Sequence, residues 1–126
     1  MQYLLLLTYA PESLADADAP RPEDWSAYTL ALQEAGIMVS GAGLQGAELA
    51  TTVRVRGDER LLTDGPFADT KEHLVGFYVI DVPDLDTALE WAAKVPNVRI
   101  GSVEVRPVMP NAEAARADAT ASAAAG

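Results

Sequence analysis

Two stretches of this chain, residues 4–9 and 74–82, are apolar at almost every position, whereas residues 51–56 and 102–107 alternate with period two. Short unbroken apolar runs suit strands covered on both faces, and alternation suits strands with one wet face. Between the first pair of strands, Trp25, Tyr28, Leu32 and Ala35 recur at helical spacing. Pro22, Glu23 and Asp24 open that helix and Gly36 stops it. Before the last strand, Asp84 caps a second helix whose buried stripe is expected to be Leu85, Ala88, Leu89 and Ala92. The glycine-spaced stretch 41–46 is read as a connection, residues 51–56 as an outer strand, and residues 60–63 as a short strand returning after the Gly57-Asp58-Glu59 turn.

Setting that hairpin aside, the order is β-α-β-β-α-β, the split βαβ arrangement whose first and third strands lie in the middle of the sheet. The patterning agrees, because the unbroken apolar runs are those two strands. Two helices cover one face of a four-stranded sheet, so the apolar opposite face needs another cover. A second copy of the chain is the economical one. The expected fold is therefore α+β, ferredoxin-like with an extra hairpin, assembled as a homodimer with facing sheets, a dimeric α+β barrel.

At 126 residues the chain has room for a single domain, expected to span residues 1–109. Residues 110–126 are alanine-rich and hold no large apolar side chain, so they are expected to stay outside the fold as a disordered tail. The apolar start lacks a basic flank and a cleavage site and is far shorter than the ~20 residues of a membrane span, which points to a cytoplasmic protein with no membrane partner.

Composition narrows the chemistry. There is no cysteine and one histidine, His73, which excludes thiolate nucleophiles and a multi-histidine metal cage within one chain. No phosphate loop, dinucleotide fingerprint or nucleophile elbow occurs, so neither metal nor cofactor is expected. A net charge of −10 disfavours non-specific nucleic-acid binding. Residues 12–24 carry five of the acids against one arginine, which leaves room for a locally basic surface around Arg54, Arg56 and Arg106.

The segment 63–72, Thr-Asp-Gly-Pro-Phe-Ala-Asp-Thr-Lys-Glu, resembles the DGPF branch of the YCII-related family. The likeness continues through residues 76–82, 85–92 and 103–108. The resemblance implies a ferredoxin-like fold and dimeric α+β barrels. It also implies small cofactor-free enzymes, one branch of which has a dehalogenating or eliminating role in aromatic degradation through a proposed His/Asp pair. Asp64 matches the acidic member by motif position; residues 1–30 contain no histidine to match the other. Members of the branch also occur beside extracytoplasmic-function sigma factors, which leaves a non-catalytic dimer, binding a ligand or a regulatory protein, as the alternative function.

Asp64 is the leading acid or base, with His73 as its helper, although an aspartate before Gly-Pro also fixes its own turn. Gly65 and Pro66 shape that turn. Arg54, Arg56 and Arg106 stand on strand faces opposite apolar neighbours. They either bind a carboxylate or phenolate or pair with acids such as Glu104. Thr70 and Lys71 are candidates to orient an anionic ligand. The expected reaction is proton transfer, elimination or isomerisation on a small anionic or aromatic molecule.

Overall fold

The computed structural model describes residues 1–65 and 71–110. Among the described residues, besides three short 3-10 turns, six strands and two α-helices run in chain order: β1 (Gln2–Tyr9), α1 (Pro22–Glu34), β2 (Met38–Gly43), β3 (Thr51–Arg56), β4 (Glu59–Asp64), β5 (His73–Asp81), α2 (Leu85–Ala92) and β6 (Gly101–Pro107). Four strands form an antiparallel sheet in the order β2-β5-β1-β6, with the two unbroken apolar strands at its centre. Because side chains alternate along a strand, each central strand serves two faces. Tyr3, Leu5, Leu7, Tyr78 and Ile80 point toward the helices and join Tyr28, Leu32, Ala88, Ala92 and Val95 in one core. This is the ferredoxin-like α+β fold. No described helix is long and apolar enough to cross a membrane.

The helix boundaries follow from their sequences. The backbone N–H of Arg21 donates to Asp24 Oδ2 at 2.8 Å, and Gly36 ends α1 at φ +70°, a conformation that costs glycine little. At α2 the Asp84 carboxylate accepts the Thr87 backbone N–H at 2.8 Å and the Thr87 hydroxyl at 2.7 Å. The buried line of α2 is Ala88, Ala92 and, beyond its end, Val95; Leu85 and Leu89 are about half exposed. The expected stripe is thus corrected. Small alanines let the helix sit close on the sheet, and the leucines flank the contact instead of filling it.

The outer strand also differs from expectation. Among the described residues, 51–56 pair only with β4, in a separate two-stranded ribbon, and the sheet edge next to β5 is Met38–Gly43. That segment has no period-two alternation to announce it. Close backbone approach selects it: a Cβ on Gly41 would stand 2.8 Å from Tyr78 Cδ1, and one on Gly76 2.9 Å from the Ala42 carbonyl oxygen. In the ribbon, Gly57 at φ +62° takes the first position of a two-residue turn, which leaves Val53, Val55 and Leu62 on one exposed face.

The sheet face away from the helices carries Leu4, Leu6, Phe77 and Val79 in its centre, all partly exposed. Ser40 and Ala42 border them on β2, Glu104 and Arg106 on β6. Two helices leave this apolar strip uncovered, as the strand patterns require.

Candidate functional site

The sheet edge at β2 is where glycine makes space. Gly41, Gly43 and Gly76 present no side chain toward α1, and the groove left there has a volume of about 330 Å³. Tyr9, Trp25, Thr29, Met38, Val75 and Tyr78 line it. None of its lining residues is charged, so the groove suits an uncharged, largely apolar guest of about one ring. Its polar atoms are hydroxyls: Thr29 Oγ1 and Tyr78 Oη lie 2.8 Å apart. Behind Tyr78, the Tyr28 ring meets it edge-on at 5.3 Å between centroids, and the Tyr28 hydroxyl donates to the Trp91 carbonyl at 2.9 Å. Burial, and then the neighbouring Tyr78, push the Tyr28 phenol well above its ordinary value, so it stays a neutral donor. Trp25, Thr29 and Gly43 continue outward into a more open vestibule with Ser26, Leu30 and Gln33.

A second cleft, about 560 Å³, adjoins the groove, and Tyr9 and Val75 line both. Its wall includes Leu14, Leu44, Gln45, Glu48, Gly65 and His73. The ladder sets Tyr9 directly opposite His73, and an irregularity in the β1–β5 register between Leu7 and Thr8 leaves Val75 without a partner. His73 thus stands at the start of β5 where a reacting group can look into the cleft. No described residue hydrogen-bonds its imidazole.

The remaining expected site residues scatter. Asp64 ends β4, exposed, with its side chain on the ribbon face of Thr51 and Val53. Its neighbour Gly65, at φ +94°, reaches the cleft wall and is fixed there: its N–H donates to the Ala50 carbonyl at 2.7 Å, and its own carbonyl accepts the Thr52 hydroxyl at 2.9 Å. Arg54 and Arg56 lie on the other ribbon face and line neither cavity. Arg106 stands on the open sheet face, its Nε 3.7 Å from Glu104 Oε2. Lys71 is exposed just before β5. Pro66 and Thr70 lie outside the described residues.

In the sequence nothing distinguishes Tyr9, Trp25 and Tyr78 from packing residues, and nothing singles out Thr29 or Glu48. The glycines were the available clue, since glycine inside a strand marks a close approach or a space. The Glu72 carboxylate ties the loop before β5 to β6: the Ser102 hydroxyl donates to it at 3.0 Å, and Thr8 Oγ1 lies 2.7 Å from Ser102 Oγ.

Comparison with known proteins agrees with this architecture. A protein of Rhizobium meliloti (strain 1021), described only as uncharacterized, is 40% identical over 110 residues, covering 82% of this chain and 89% of that protein. Among solved structures, the fold matches a 5-chloro-2-hydroxyhydroquinone dehydrochlorinase from Burkholderia phenoliruptrix AC1100, in complex with 2,5-dihydroxybenzoquinone. The TM-score is 0.51 at 16% identity, over 86% of this chain and 94% of that one. The model of the YCII-related domain matches residues 1–112, and the chain belongs to that family.

Proposed function

We propose that this protein is a cofactor-independent enzyme that moves protons on a small planar ring held in the groove beneath α1, by elimination or isomerisation. The observation that carries the reading is the pair Tyr9 and Val75, which lines both the uncharged, aromatic-lined groove and the adjoining cleft that holds His73. A ring in the groove would present one edge to the cleft. There His73 would take a proton, the released electron pair would form the new double bond, and the leaving group would depart with its own bonding pair. Asp64, one residue from the cleft-lining Gly65, is the candidate for the second acid or base. The fold-level likeness to a dehydrochlorinase supports elimination as the first reaction to try. The uncovered strip of Leu4, Leu6, Phe77 and Val79 supports a homodimer with facing sheets.

The test is turnover of a chlorinated hydroxyhydroquinone, followed by chloride release. His73→Gln is expected to lower the rate by roughly 10²- to 10⁴-fold with the fold intact. Saturable ring binding without turnover would instead favour the non-catalytic, ligand-binding dimer.

A further inference from the structure

The two edges of the sheet are not alike. Edge strand β6 carries Glu104 and Arg106 and ends in Pro107, features that discourage pairing with another strand. Edge strand β2, Met-Val-Ser-Gly-Ala-Gly, carries no charge and no proline. Leu44 N–H donates to the Val75 carbonyl at 2.8 Å, so by alternation Ala42 also turns its polar groups to β5, while Gly41 and Gly43 turn theirs outward. Among the described residues the β3–β4 ribbon is paired only with itself, with Val53 57%, Val55 58% and Leu62 57% exposed. An isolated two-stranded hairpin is marginal in water.

We propose that the ribbon is an exchange arm: β3 of one copy adds to the β2 edge of a second copy, and Arg54 and Arg56 of the arm reach the mouth of that copy's groove. This rests on the reading of the chain as a homodimer with a ligand groove under α1. The two faces of β3 fit the edge. When Val53 and Val55 continue the apolar strip through Ala42, Phe77 and Val79, Arg54 and Arg56 fall on the helix side. Of the three acids of α1, Glu23 and Asp24 are already held by Arg21, which leaves Glu34 to face the two arginines of β3. The groove's vestibule, with Trp25, Ser26 and Gln33, opens on the same side. The chain's own ribbon leaves β2 through residues 44–50 and does not return to pair with it. A two-fold exchange gives each copy one arm and removes both unprotected edges.

Hydrogen exchange of the full-length chain, with its mass measured by light scattering, tests this. In the dimer, segments 39–44 and 51–64 are expected to exchange roughly tenfold or more slowly than in Gly43→Pro, which removes an outward N–H and leaves the β2–β5 ladder intact. Should that variant fail to fold, the double charge reversal Arg54→Glu with Arg56→Glu is expected to release both segments together. A dimer whose segment 51–64 exchanges as freely as in the variants overturns the arm and leaves the groove reading standing. A monomer overturns the arm as well. Loss of ring binding with both segments still protected contradicts the groove reading alone.

Discussion

The hydroxyl of Thr29 and the phenol of Tyr78 stand 2.8 Å apart on the wall of the groove, joining α1 to the central strand β5. Tyr78 is 8% exposed overall, with its ring in the core and its hydroxyl at the groove. Thr29→Val keeps the shape and removes the hydroxyl. The variant is expected to lose about 0.5–1.5 kcal/mol in urea denaturation, the net contribution of one hydrogen bond, and to bind a hydroxylated ring more weakly than the wild type.

Gly76 holds β2 close to β5. A Cβ there would lie 2.9 Å from the Ala42 carbonyl oxygen, a backbone atom that cannot swing aside. Gly76→Ala is therefore expected to push the edge strand outward at a cost of about 1–3 kcal/mol, read as a lower denaturation midpoint. A midpoint unchanged from wild type would mean the strands have slack that the geometry denies.

The open sheet face makes its own prediction. Leu6 stands in the middle of the uncovered apolar strip, paired across β1 and β5 with Phe77. Leu6→Lys places a charge there without touching the helix-side core. Light scattering is expected to show a dimer for the wild type and a monomer for the variant, with helical circular dichroism preserved.

Asp84 links stability to acid. Hydrogen bonds from the Thr87 hydroxyl and backbone N–H lower its carboxyl below the ordinary value of 3.8. Because the folded value is depressed, the cap's contribution is fully present above the unfolded value and is lost as pH falls through the folded one. Asp84→Ala should melt a few degrees below wild type at neutral pH, and the gap should close as the pH drops well under 3.8. A gap that persists in acid would show that the carboxylate charge is not what α2 uses.

These outcomes bear on what the chain discloses before folding. The helices, the central strands and the uncovered face were legible because residues such as Leu5, Tyr28 and Ile80 express burial through periodicity. The edge strand was not, since Gly41 and Gly43 matter for what they lack, and absent side chains leave no pattern. Alternation in 51–56 is real, but it records a ribbon with two different faces and does not say which neighbour the strand has. For the site, His73 was legible as a titratable group, whereas Tyr9, Trp25 and Tyr78 look the same in sequence whether they fill a core or line a groove. Only the gap opposite them, made by residues far apart in the chain, separates the two.

The central claim is that the groove beneath α1 is where a small ring binds, and Trp25 can report on it directly. In a Trp91→Phe background, which leaves Trp25 as the single tryptophan, titration with hydroquinone, an uncharged ring, should quench its fluorescence saturably. Gly43 lines the groove, and a Cβ there meets nothing within 4 Å, so Gly43→Leu fills the space without straining the strand. Binding at least about tenfold weaker in that variant, a loss of roughly 1.4 kcal/mol, at unchanged stability is the predicted result. Saturable binding of equal strength with and without the leucine, or no saturable quenching in the parent, would contradict the account.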